Sequence, residues 1–150
     1  MADLTTTVTE SVVLNGALRG NTNTVTTTGI NNVFERIVTC AHSVETTVAR
    51  FAAAPNTDPV AIDVNNVRYV RVTNLGADSA ILLGVVMTDT NYQVRLPAGT
   101  SHILPRGEEV AIGEEDNSPA FGTMQNLISL IVKPEGAVYN PQVGVMIASV

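Results

Sequence analysis

The chain has 150 residues, a formal net charge of −6 and one lysine among its eight basic residues. Nucleic-acid binding uses Lys and Arg against phosphates and aromatic rings against unpaired bases, and this chain has no tryptophan and only 4% aromatic residues, so we expect no direct nucleic-acid binding. Its single cysteine excludes an intrachain disulfide, and no apolar run approaches the length that a bilayer requires, so we expect folding in a reducing cytoplasm without membrane contact.

The composition indicates an all-β protein. Valine occurs 22 times and threonine 18 times. β-Branched side chains pack better on a pleated sheet than in a helix, and a chain of this length can bury one core. We predict a single antiparallel β-sandwich of the jelly-roll type over residues 10–150. Met1–Thr9, which is polar and threonine-rich, is predicted to be an arm that only a partner would order.

The first third of the chain contains three predicted strands and one ambiguous segment. Glu10–Leu14 has the first strand pattern, and Thr22–Thr28 is predicted to form a hairpin with Val33–Cys40. Ser43–Ala54 has two interpretations, because its apolar residues also recur at helical spacing. Its β-branched residues favour a strand over a helix.

The clearest pattern is Val67–Met87, which predicts two strands joined by a turn at Asn74–Asp78. The first strand places Tyr69 and Arg71 on one face, and the second strand, Ala80–Met87, is apolar on both faces, so we predict a hairpin covered from two sides. Alternation and turn signals predict further strands at Tyr92–Leu96, His102–Leu104, Glu109–Ile112, Leu127–Val132 and Val143–Ala148.

No catalytic, cofactor or metal site is predicted. Cys40 and His42 have the spacing of a thiolate–imidazole pair, but no orienting group or oxyanion pocket flanks them, so a buried cysteine beside a loop histidine is favoured. Adding His102 gives no zinc ligand set. Five acidic residues lack the spacing of a calcium-binding loop, so a solvated acidic rim is favoured and a calcium site is the alternative. These residues are Glu108, Glu109, Glu114, Glu115 and Asp116.

Five residues are predicted to contact a partner. Thr5, Thr6 and Thr7 belong to the arm. Arg68 and Arg71 lie on opposite faces of one strand, where a guanidinium can pair with a carboxylate of this subunit or of another. A solvated charge at the edge of the sheet is the equal alternative for these arginines.

Four segments carry a resemblance to a known family: F-E-R-I-V-T at 34–39, R-Y-V-R-V-T-N-L at 68–75, I-L-L-G-V at 81–85 and Y-Q-V-R-L-P-A-G at 92–99. Between Val33 and Leu104 the chain resembles small virion proteins of tailed bacteriophages, especially those of marine and cyanobacterial phages. The resemblance implies a non-enzymatic β-sandwich or jelly-roll subunit that is present in many copies. No binding residue of the family is carried over to this sequence.

The expected function is that of a capsid decoration (cement) protein, which is made in the cytoplasm of a bacterial host and resides in the virion. It would bind between subunits of the major capsid protein and associate with copies of itself. The first alternative is a tail, neck or fibre-attachment component of the virion. An alternative of another class is a small carbohydrate- or host-surface-binding module.

Overall fold

A computed structural model describes residues 1–54, 57–113 and 121–150 of the chain. These ranges contain one 3₁₀ helix, at Val64–Asn66, and no helix long and apolar enough to span a membrane. The strands are β1 (Ala2–Thr9), β2 (Val12–Leu14), β3 (Ala17–Arg19), β4 (Thr22–Ile30), β5 (Asn32–Thr39), β6 (Thr46–Ala52), β7 (Ile62–Asp63), β8 (Val67–Asn74), β9 (Ile81–Met87), β10 (Asn91–Leu96), β11 (Ser101–Leu104), β12 (Leu127–Pro134) and β13 (Gln142–Ser149).

Eight of these strands form a sandwich of two sheets. One sheet has the order β10-β9-β12-β6, with the short β7 added in parallel to β6, and the other has the order β11-β8-β13-β5. Four antiparallel pairs are nested along the chain: β5 with β13, β6 with β12, β8 with β11, and β9 with β10. Nested pairs wrapped across two sheets define a jelly roll. The predicted class, an all-β antiparallel sandwich of jelly-roll type, is confirmed.

The core lies between the two sheets and follows the strand alternation. In β9, Ile81, Leu83 and Val85 are fully buried, and the residues between them are half-buried. In β10, Tyr92, Val94 and Leu96 point inward, as predicted. Burying a side chain of this size stabilises the fold by about 1.5–3 kcal/mol, so this alternating set fixes the register of each sheet.

One polar side chain is completely buried in the core. Asn74 is 0% exposed, and its amide nitrogen donates to the carbonyl oxygens of Ser79, at 2.8 Å, and Leu96, at 3.0 Å. Its Oδ1 accepts from the backbone N–H of Gly76 at 3.0 Å. Because all three bonds go to backbone groups, Asn74 fixes the connection between β8 and β9 to the end of β10.

The strands at Val67–Met87 are confirmed, but the hairpin that they were predicted to form is wrong. β8 pairs with β11 and β13, whereas β9 pairs with β10 and β12 in the opposite sheet. The connection between them crosses the sandwich, which local alternation cannot distinguish from a tight turn within one sheet. The preference for a strand in Ser43–Ala54 is confirmed by β6.

Two other predictions are corrected by the sheet topology. Thr22–Thr28 and Val33–Cys40 do not pair with each other, because β4 pairs with β1 and β5 pairs with β13. The predicted strand at Glu109–Ile112 is reduced to one isolated bridge between Ala111 and Gln125. A short alternating segment forms a strand only where an adjacent strand pairs with its backbone, and the local pattern does not specify that neighbour.

Candidate functional site

A long hairpin precedes the sandwich. β1 pairs with β4, and β2 pairs with β3 with the same residue offset, from Leu4 opposite Thr27 to Leu14 opposite Ala17, and the two ladders are separated at residues 10–11 and 20–21. Asn15 and Gly16 have φ angles of 52° and 78°, which suits a two-residue turn of type I′. The predicted arm at Met1–Thr9 is therefore one strand of a hairpin that extends to Ile30, and it is ordered by pairing within its own chain.

The two faces of this hairpin differ in chemistry. One, the hydroxyl face, carries six threonines and Ser11 along most of its length and the exposed Val13 and Leu18 next to the turn. On this face Oγ1 atoms meet across the strands at 3.2 Å between Thr7 and Thr24 and at 3.3 Å between Thr9 and Thr22. The other, the apolar face, carries Glu10, Arg19 and the uncharged polar residues Thr6, Asn21, Asn23 and Thr27 among its apolar ones. Its apolar residues are Leu4, Val8, Val12, Leu14, Ala17 and Val25.

Only the base of the hairpin is covered by the sandwich. Ile30 is buried in a cluster with Tyr69 and Ala148, and Leu4 and Met146 pack against that cluster. Every residue from 7 to 26 is exposed, and Leu14, on the apolar face, is 58% exposed. A two-stranded ribbon is at best marginally stable in water by itself, so an exposed apolar face of this length is typical of a surface that a partner covers.

The base of the hairpin sits on the outer face of the four-stranded sheet β11-β8-β13-β5. The pairing register places Ile103, Arg71, Met146 and Glu35 side by side in one row of that face. The next row consists of Ser101, Thr73, Gly144 and Ile37. Arg71 is half-buried, and its Nε is buried without a hydrogen-bond partner in the described part of the chain.

Two clefts meet at Arg71. One, of about 480 Å³, separates β1 from the outer face and is lined by Thr5, Thr6 and Thr7 together with Arg71. The other, of about 400 Å³, is lined by Arg71, Glu35, Ile37 and Leu75. Four of the five residues predicted to contact a partner thus lie around a single cleft. Their role in contacting a partner stays a prediction.

Arg68 lies apart from this cleft. Its Nη1 donates to the carbonyl oxygens of Asn65, at 2.8 Å, and Val67, at 3.2 Å. These bonds hold the 3₁₀ helix against the start of β8. The geometry therefore gives Arg68 a contact within its own subunit.

Cys40 and His42 have separate environments. Burial raises the pKa of the Cys40 thiol, and a hydrogen bond with Thr46 lowers it by a smaller amount. His42 contacts Asn140, whose Oδ1 lies 2.8 Å from the backbone N and 3.0 Å from Nδ1. A buried thiol with a raised pKa is a weak nucleophile, which agrees with the favoured interpretation of this pair.

Of the five acids predicted to form a solvated rim, the two that the structure describes lie beside an arginine. Arg106 Nη2 lies 3.9 Å from Glu108 and 3.6 Å from Glu109. Glu114, Glu115 and Asp116 lie outside the described residues. Within the described ranges, no group of three or more His, Cys, Asp or Glu side chains could hold a metal ion.

Tyr92 and His102, which were not paired in the sequence analysis, meet at the border of the core. Tyr92 Oη lies 3.0 Å from His102 Nε2, and the two rings are arranged edge to face. Burial raises the pKa of Tyr92 and lowers the pKa of His102, because each charged form would lose hydration. Both residues occupy inward positions of their strands, and this is the signal that could have paired them.

No family model, curated protein or solved structure matches this chain. Its strand order and its hairpin define the chain as a jelly-roll protein with a projecting hairpin of two different faces.

Proposed function

We propose that this chain is a structural protein of a tailed-bacteriophage virion, and more specifically a capsid decoration protein that binds between subunits of the major capsid protein. The observation that carries the proposal is the hairpin, whose apolar face extends well beyond the sandwich that covers its base. Coat proteins of viruses are among the proteins that commonly have jelly rolls, and this fold-level analogy agrees with the family resemblance in the sequence.

The hairpin supplies the reach that such a protein needs. Its exposed part runs from Thr7 to the turn at Asn15, a span of about 27 Å for an antiparallel strand. A sandwich of this size has a radius of gyration of about 14 Å, so the hairpin can cross the junction between two neighbouring subunits. From Thr7 to Thr26 both of its faces are exposed, so they can contact coat proteins or further copies of this chain.

The stabilising mechanism is mass action. A protein that binds only the assembled shell raises the apparent stability of that shell by about 2.7 kcal/mol per site at a free concentration of 100 times Kd. No bond is made or broken in this role. The hydroxyl face supplies hydrogen-bond donors and acceptors to the shell, and the apolar face supplies hydrophobic contact with coat proteins or with neighbouring copies of this chain.

The test is to locate the chain in purified phage particles that encode it. We expect mass spectrometry to find it in many copies per particle and cryo-electron microscopy to place its hairpin across junctions of the capsid lattice. Particles stripped of it should lose their shell at a lower temperature and regain stability when it is added back. Density at the neck or tail would replace the capsid role by the tail role, and absence from particles would refute both.

A further inference from the structure

The base of the hairpin indicates which kind of surface its exposed half can bind. At the base, the apolar face packs on the outer face of the four-stranded sheet, where Leu4 contacts the cluster that contains Tyr69 and Met146. The same hairpin face is exposed at Val8, Val12 and Leu14, and the same sheet face is exposed at Ile37 and Ile103. Val8 and Ile103 line opposite walls of the cleft between β1 and the outer face. Every copy of the chain therefore exposes both surfaces of this contact, the apolar face of the hairpin and the outer face of the sheet.

The charges on the two uncovered halves are complementary. The hairpin face carries Glu10 and Arg19, and the sheet face carries Arg71 and Glu35. None of these four residues forms an ion pair among residues 1–54, 57–113 and 121–150. The Nε of Arg71 is also buried without an acceptor among the described residues, so Arg71 has neither an ion pair nor a hydrogen-bonded Nε within that part of its own chain.

The spacing of the charges also matches. Glu10 lies opposite Asn21, and Arg19 is two residues further along, so Glu10 and Arg19 are diagonal neighbours about 7–8 Å apart. Arg71 and Glu35 lie in one row with Met146 between them, a separation of two strand spacings or about 10 Å. Arg and Glu side chains are long enough to absorb the difference.

We propose that copies of this chain exchange hairpins, so that the apolar face of one hairpin packs on the uncovered outer face of a second copy, with Glu10 on Arg71 and Arg19 on Glu35. The exchange rests on the proposed function only in that copies associate, and it does not require a capsid. Because donor and receiver are different surfaces, a reciprocal exchange closes a dimer and a sequential one closes a ring.

Charge reversal in the full chain tests the exchange, with the association constant measured by sedimentation velocity and size-exclusion light scattering. Glu10→Arg and Arg71→Glu should each weaken association at least about tenfold, because each places like charges together. The double variant should recover it, and so should a mixture of the two single variants. Asp89→Arg, an equal charge change in the exposed turn between β9 and β10, should leave association unchanged.

A second pair guards against a variant that fails to fold. Arg19→Glu and Glu35→Arg change exposed residues, and they should also disrupt association singly and restore it together. The apolar contact has a matched control at the tip of the hairpin. Leu14→Asp, on the apolar face, should weaken association, whereas Leu18→Asp, which is 72% exposed on the hydroxyl face, should not.

Two results would overturn the exchange. If the wild-type chain is monomeric at every concentration, no second copy occupies the outer face, and the apolar face is left to a different coat protein. If the wild type associates but neither charge pair shows restoration, the copies meet through another surface. Neither result bears on whether the chain is found in particles, so failure of the exchange is distinguishable from failure of the virion role.

Discussion

Truncating Asn74 to Ala should be among the most damaging single changes to the sandwich. The substitution removes three hydrogen bonds to backbone groups and leaves the carbonyl oxygens of Ser79 and Leu96 and the N–H of Gly76 without that partner. At a net value of about 1 kcal/mol for each bond, the free energy of unfolding should fall by about 3 kcal/mol. That is a large part of the total for a domain, which is about 5–15 kcal/mol.

The assay is equilibrium unfolding in urea together with thermal melting. With an m value of about 2 kcal/mol/M, the urea midpoint should fall by about 1.5 M at constant m. The melting temperature should fall by about 6–12 °C for a chain of this size. Asn140→Ala is the matched control, because Asn140 also accepts a backbone N–H, from His42 at 2.8 Å, but is exposed.

The control should lose less than about 1 kcal/mol, because water replaces the bond. If Asn74→Ala cost no more than Asn140→Ala, the buried amide would not be what fixes the connection between β8 and β9. The pairing of those strands with opposite sheets would then need a different physical explanation.

Three further changes test the turn of the hairpin, a close backbone approach and a buried histidine. Gly16→Val should increase amide hydrogen exchange in β2 and β3 but not in the sandwich, because the φ of 78° at Gly16 disfavours a side chain. If exchange in β2 and β3 were the same in the variant and the wild type, the assigned turn would be refuted. Gly107→Ala should cost more than about 1 kcal/mol, because its Cβ would lie 2.8 Å from the carbonyl oxygen of Val64, whereas Gly84→Ala, with ordinary contacts, should change stability by less than about 0.5 kcal/mol in urea unfolding. The pKa of His102 is lowered in the folded protein, so the unfolded chain binds a proton at a higher pH than the folded chain does. The free energy of unfolding should therefore fall as the pH drops below the ordinary histidine pKa of about 6.5. His102→Gln should reduce this pH dependence in unfolding measured from pH 7 downward.

Part of the proposed interaction site was predictable from the sequence. Thr5, Thr6, Thr7 and Arg71 were chosen as partner contacts because they are polar residues of an arm and a strand, and the structure gathers them around one cleft. Glu35, Glu10 and Arg19 were not singled out, because an isolated charge in a short strand has no distinguishing pattern. Only the register of β5 against β13 shows that Glu35 lies in the same row as Arg71, and only the register of the hairpin shows that Glu10 and Arg19 share one of its faces.

The sequence by itself determined the class of the fold and the position of many of the strands. Valine and threonine favour the sheet, alternation sets which side chains of β8 and β10 face inward, and Asn15-Gly16 sets a two-residue turn. These are local properties, fixed by the side chain and by φ and ψ at each residue.

Only the tertiary structure decided which strands are neighbours. β8 and β9 are adjacent in sequence yet lie in opposite sheets, and β1, which looked too polar to be held, is held by β4 across an intervening hairpin. Strand pairing depends on burying two sheets against each other at once, and this depends on residues far apart in the chain. A local pattern predicts that a strand is present, but packing in the core determines its position in the two sheets.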